Sequence, residues 1–150
     1  MTDLTLSSEQ LAESLPALLE GNGCAALRVT GYSMRPLLRH NRDVVWIRSR
    51  APKIRPGQIL LYQRFDGKLV LHRVLRILPE NRYRMNGDAQ VWCEIIHDDQ
   101  ILAEVFEIRR GTRKIRCSGF LFRLKSWVWS LTRPIRPTLF QLGHLLRKLL

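Results

Sequence analysis

A chain of 150 residues has the length of one domain and can bury a core without disulfide or metal staples, which excludes two large domains. With 45% hydrophobic and 25% charged residues, the composition is globular rather than disordered, fibrous or polytopic membrane. Its 25 lysines and arginines against 13 acids are unevenly spread: residues 1–108 hold 14 bases and all 13 acids, while residues 109–150 hold 11 bases and no acid.

The first ten residues, MTDLTLSSEQ, have neither a basic stretch nor a continuous apolar run, so no secretory signal is expected. From Ser7 to Glu20, leucines at 11, 15, 18 and 19 recur at helical spacing behind a capping-box pair, Ser7 and Gln10. The spacing predicts a helix over about residues 7–20 that Pro16 kinks or divides and that Gly21-Asn22-Gly23 stops. Residues 25–30, 43–48, 58–64, 68–77 and 82–86 are short β-branched or aromatic runs between turn residues and read as five strands. Pro56-Gly57 is a turn, Asp66-Gly67 signals a two-residue hairpin and Pro79-Glu80-Asn81 a further reversal, so residues 58–86 should form a meander. A sixth strand is expected near 101–109.

After Gly111, residues 120–131 and 138–150 read as two amphipathic helices joined by a stiff Arg133-Pro134-Ile135-Arg136-Pro137 elbow. Phe120, Leu124, Trp127, Val128 and Leu131 fall on one side of the first, and Leu142, Leu145, Leu146, Leu149 and Leu150 on one side of the second. Three uses fit such a tail: an anionic membrane surface, packing against the rest of the chain, and nucleic acid. The apolar content favours the membrane surface and counts against nucleic acid. No window approaches the roughly 18 apolar residues of a spanning helix.

Three cysteines, Cys24, Cys93 and Cys117, at wide and irregular spacing suggest no disulfide framework and favour a reducing compartment. The expected location is the cytoplasm, with peripheral attachment at the inner face of the membrane through the tail. Cys93 and His97, followed by Asp98-Asp99, have a spacing that would suit metal ligands on one helical face, but a closed site needs more donors, so no metal and no cofactor are expected.

Three short motifs carry the candidate chemistry. Ser33 sits on a tight bend in Gly31-Tyr32-Ser33-Met34-Arg35-Pro36, which suits either an ordinary turn or a serine held clear of its chain as a nucleophile. His72 interrupts the apolar Val70/Val74 face of the longest strand, as either a satisfied core histidine or a general base. Asp88, in Met85-Asn86-Gly87-Asp88-Ala89, is either turn chemistry or a carboxylate that orients a base. Taken together, the three have the order nucleophile, base, orienting acid.

The runs GYSMRPLLRHNRDVV, PGQILLY, LHRVL and MNGDA, in this order over residues 28–90, resemble the serine peptidases that include type I signal peptidases and the LexA-like self-cleaving repressors. The resemblance implies a mainly β catalytic domain at 24–110, preceded by an N-terminal helix at 1–23 and followed by the basic amphipathic tail at 111–150. It implies Ser33 as nucleophile, His72 as general base, Asp88 as the base's support, Met34 and Pro36 as residues that shape the substrate-binding turn, and Asp43 as a structural acid. His72 stands where bacterial signal peptidases and the repressors place lysine, and is similar to the histidine of the archaeal and endoplasmic-reticulum signal peptidases. Gly31 stands where many signal peptidases have serine or threonine, so backbone N–H groups, that of Ser33 included, are expected to hold the oxyanion. The implied activity is hydrolysis of a peptide bond in an exported or ribosomally made precursor. The alternative is a catalytically inactive peptide-binding or membrane-surface module of the same fold.

Overall fold

The computed structural model describes residues 8–149, and the side chains of residues 9–147. Ser7 of the expected capping box and Leu150 of the expected tail face lie outside these, as does the side chain of Leu149.

Helix α1 (Ser8–Asn22) runs unbroken through Pro16, which was expected to kink or divide it. The proline costs one intrahelical donor, but Leu15 and Leu19 are buried on the core from either side of it, and this packing holds the helix. Gly23 ends it with φ +71°, donating its N–H to the Leu19 carbonyl at 2.9 Å.

Eight strands follow: β1 (Ala25–Arg28), β2 (Asp43–Arg48), β3 (Ile59–Gln63), β4 (Leu69–Leu78), β5 (Arg82–Asn86), β6 (Glu94–His97), β7 (Ile101–Arg110) and β8 (Arg113–Arg116). All pairings are antiparallel, in the order β1-β2-β7-β3-β4-β5-β6, with β8 hairpinned onto the far end of β7. The fold is thus mainly β, and the meander β3-β4-β5 forms as the turn signals require. Two strands escape the sequence patterns. In β8, Arg-Lys-Ile-Arg has no apolar alternation and exists as a partner of β7; β6 takes Glu94–His97, most of the stretch whose Cys93/His97 spacing suggests a helical face.

The β3–β4 hairpin corrects another expectation. Arg64 donates its N–H to the Lys68 carbonyl and Gly67 to the Arg64 carbonyl, so the loop is Phe65-Asp66-Gly67, three residues with Gly67 at φ +81°. A three-residue loop ending in a left-handed glycine shifts the register by one relative to a two-residue turn. As a result Leu60 lies opposite His72 and Tyr62 opposite Val70, and Tyr62 and His72 share a sheet face.

Strand β3 is buried on both faces, which explains its uninterrupted Ile-Leu-Leu-Tyr. Ile59 and Leu61 join the cluster formed by α1, β1, β2 and the bend after Thr30, while Leu60 and Tyr62 join a second cluster with Val74, Met85 and Ile96. Helix α2 (Phe120–Leu131), a 3-10 turn (Arg133–Ile135) and helix α3 (Arg136–Leu149) complete the chain as helix, elbow, helix. Among the described residues no helix is long and apolar enough to cross a membrane.

Candidate active site

The bend that carries Ser33 is tied down at both ends. Gly31 has φ +86°, a backbone conformation that glycine takes without strain, and its N–H donates to His40 Nδ1 at 2.9 Å. Further on, Leu38 donates to the Met34 carbonyl, and the peptide bond between Arg35 and Pro36 is cis. Asp43, fully buried at the start of β2, accepts from the Arg39 N–H and from Arg110 at 2.9 and 2.8 Å, and Arg110 also donates to the Leu37 carbonyl. Burial pushes the Asp43 carboxyl upward, but the bonds from Arg110 and Arg39 outweigh it and leave the group below its usual value. Asp43 is structural, as its position in the resemblance implies.

Met34 is buried and helps line a cavity of about 660 Å³ together with Ser33, His72, Arg64, Gln90 and Trp92. Pro36 is exposed and lines a different cavity, beside Arg73 and Asp88, so of the two residues expected to shape the substrate turn only Met34 reaches the Ser33 cavity. The Ser33 N–H donates to no group among the described residues, whereas that of Gly31 is taken by His40.

Asp88 was expected to support His72. The structure places it elsewhere: both of its carboxylate oxygens accept from Arg73, at 2.8 and 2.7 Å, in a pair buried from solvent on each side. The reason is strand alternation. Arg73 follows His72 in β4, so their side chains leave opposite faces of the sheet, and the Gly87-Asp88 turn packs on the Arg73 face. That turn instead supports Ser33, because Ala89 donates its N–H to the Ser33 carbonyl at 2.8 Å. A Cβ added to Gly87 would lie 2.7 Å from that same carbonyl oxygen, so only glycine allows the approach.

The carboxylate beside His72 is Glu94, at the start of β6, which the sequence reading passed over. His72 Nδ1 lies 2.9 Å from Tyr62 Oη and 3.0 Å from Glu94 Oε1, and Tyr62 donates to Glu94 Oε1 at 2.5 Å. Arg64 holds both Glu94 oxygens, at 2.8 and 2.6 Å. Burial raises the Glu94 carboxyl, yet the bonds from Arg64 and Tyr62 and the Arg64 charge leave it below its usual value, so it is ionised. Burial, reinforced by Glu94, holds the Tyr62 phenol above its usual value and therefore protonated. Its single proton goes to Glu94, which leaves the phenol oxygen as an acceptor toward Nδ1. The proton of neutral His72 is therefore on Nδ1, and Nε2 is its lone-pair nitrogen, with no hydrogen-bond partner among the described residues. Desolvation lowers the His72 pKa to about 4 against the upward pull of Glu94, so the ring is neutral at physiological pH rather than titrating near neutrality. Trp92 closes one side, its ring edge-on to His72 at 6.0 Å.

The tail grips the loop that supports Ser33. Ser126 accepts from Arg73 at 2.7 Å, Trp129 donates its indole N–H to the Asp88 carbonyl at 2.9 Å, and the buried Arg136 donates to Asn86 Oδ1 and to the Gly87 and Gln90 carbonyls. The cysteines take no part in the cavity. Cys93 accepts from Arg133, and burial pushes the Cys117 thiol up to about 12, which makes it a poor nucleophile. Asp98, beyond His97, is held by Arg50 and by the Tyr83 hydroxyl.

Comparison with curated proteins finds no match. A family model described as Peptidase S24-like matches residues 3–106, covering the stretch from the N-terminus through most of β7 and leaving β8 and both tail helices outside it. With the match spanning more than two thirds of the sequence and including the bend, the histidine strand and the Gly-Asp turn, the chain belongs to the Peptidase S24-like family.

Proposed function

We propose that the protein is a serine endopeptidase in which Ser33 attacks the peptide carbonyl and His72 Nε2 takes its proton. The observation that carries this reading is the state of His72: neutral, with Nδ1–H committed to Tyr62 and Glu94, in the wall of the cavity that Ser33 also lines. A base in this state accepts a proton without first losing one, and the ionised Glu94 stabilises the imidazolium that forms. Ser33 N–H is the candidate oxyanion donor. Proton transfer to the departing amine from imidazolium Nε2 completes acylation, and water repeats the sequence on the ester.

The substrate is an extended peptide with apolar side chains, from an exported or ribosomally made precursor. Support comes from Leu27, Val29, Leu61, Leu69 and Leu71, apolar residues that line the cavity together with Ser33. In this reading the chain follows the histidine branch of the wider superfamily.

One observation favours a second reading, a peptide-binding module without catalysis: Ser33 Oγ donates no hydrogen bond to His72 among the described residues. Labelling with a fluorophosphonate, followed by peptide mapping, separates the two. The peptidase forms a covalent adduct on Ser33 that is absent in Ser33→Ala, and it cleaves an apolar peptide library. Binding of library peptides with neither adduct nor cleavage establishes the module.

A further inference from the structure

We propose that the outward faces of α2 and α3 form a docking surface for an anionic lipid bilayer. The two tail helices are already half used. Their inward side is occupied by Ser126, Trp129 and Arg136, which bond to the domain, with Phe122 and Phe140 partly covered. The sequence leaves open whether the apolar faces themselves pack on the domain; among the described residues they do not.

Phe120 is 77% exposed, Trp127 61%, Val128 50% and Leu131 60%. With Leu124 these positions span about 100° of the α2 circumference, opposite Ser126 and Trp129. Leu142, Leu145 and Leu146 of α3 are likewise exposed apolar side chains. A tryptophan, a phenylalanine and leucines on one face of a short helix suit the boundary between headgroups and acyl chains.

Charge selects the partner. Arg123 and Lys125 flank the α2 stripe on its two sides, and the exposed Arg113, Lys114 and Arg116 of β8 precede it. Residues 109–150 contain no acid, so nothing in the segment repels anionic headgroups. Two such faces from two copies would bring like-charged segments together, which disfavours a dimer. Nucleic acid would have to meet an apolar stripe with the bases confined to its rim. The inference is independent of Ser33 chemistry and stands or falls separately from it.

The test is flotation of the full chain with phosphatidylglycerol-containing vesicles and with pure phosphatidylcholine vesicles, at low and high salt. The protein should float with the anionic vesicles at low salt and lose most of that binding at high salt or on neutral lipid. Leu124→Gln/Trp127→Gln, both on exposed positions, should weaken anionic-vesicle binding about tenfold or more while keeping the far-ultraviolet circular dichroism of the parent. Arg123→Gln/Lys125→Gln should weaken it at low salt alone. Absence from the anionic vesicles at low salt overturns the proposal. So does equal binding by a folded Leu124→Gln/Trp127→Gln chain, a dimer in solution that this variant dissociates, or retention of duplex DNA by a protein that ignores the vesicles. Should the variant not fold, the lipid and salt comparison on the parent chain decides alone.

Discussion

Asp88 and Arg73 form a two-bond ion pair, at 2.8 and 2.7 Å, buried on the sheet face opposite His72. The acid of the Gly-Asp turn therefore positions the serine, through Ala89 N–H on the Ser33 carbonyl, and leaves the histidine to another carboxylate. Removing one member of a buried pair strands the other, at a cost of about 3 kcal/mol or more. Asp88→Asn should lower the thermal midpoint by roughly 10 °C while leaving the acid limb of the activity profile close to its parent position. Calorimetry and a pH–rate series check both halves; an acid limb displaced by a whole pH unit would return Asp88 to the histidine.

Glu94 is the residue whose loss should resemble removal of an orienting acid. Glu94→Gln keeps the shape but removes the charge that takes the Tyr62 proton, so the ring is free to present the wrong nitrogen. Turnover should fall by on the order of 10²-fold or more, with KM less affected. Tyr62→Phe should lose less, because Glu94 Oε1 remains 3.0 Å from Nδ1. Steady-state kinetics on both variants give the order of effects.

Gly87→Ala tests the close approach. The new methyl would meet the Ser33 carbonyl oxygen at 2.7 Å and the Gln90 side chain at 2.5 Å. Gln90 can move aside, whereas the Ser33 backbone cannot without moving the nucleophile. Activity should therefore drop by about tenfold or more with a smaller proportional loss of stability, since misplacement of reacting groups is felt strongly in rate. Comparing kcat/KM with the thermal midpoint for this single variant checks it.

The strands that alternate or run apolar are legible: β2, β3, β4 and β5 follow their sequence patterns, as does α2, whereas the elbow shortens to Arg133–Ile135 and α3 begins at Arg136, taking in Pro137 in its first turn. Strand β8 was hidden because an Arg-Lys-Ile-Arg edge is held by its partner rather than by its own periodicity. Strand β6 was hidden because four residues carry too little pattern to outweigh a metal-like spacing. The sequence marks Ser33 by its tight Gly31–Pro36 bend and His72 as a polar side chain on the apolar Val70/Val74 face, and the two line one cavity. Glu94 was not, because its partners Tyr62 and His72 are distant in the chain and meet only through the β3–β4 register. Counting Phe65-Asp66-Gly67 as a three-residue loop would have put Tyr62 on the His72 face and pointed to the relay. Asp88 bonds Arg73 rather than His72 because residues 72 and 73 leave opposite faces of one strand, and the turn meets the second.

Acid stability should carry the signature of a buried neutral histidine. The unfolded chain binds a proton on His72 as pH falls through about 6.5, whereas the folded chain resists until about 4. Stability is therefore full above about pH 6.5 and falls by about 3 kcal/mol on the way to pH 4. Below pH 4.5, Glu94 and Asp43, both held below their usual values, add to the loss in the same direction. Denaturant unfolding between pH 7 and 4.5 should show the slope in the parent and a flatter line in His72→Gln.

The rate at which a fluorophosphonate phosphonylates Ser33, Oγ displacing fluoride from phosphorus, followed by intact mass from pH 3.5 to 8, tests the coupling of serine to histidine most directly. Phosphonylation assisted by neutral His72 as base should rise through a midpoint at about 4, stay level to pH 8, and vanish in Ser33→Ala. In His72→Gln the rate should fall by 10²- to 10⁴-fold, in the range of general-base assistance, and lose that midpoint. An adduct that persists in Ser33→Ala, or a midpoint at about 4 that survives in a folded His72→Gln chain, would contradict the account.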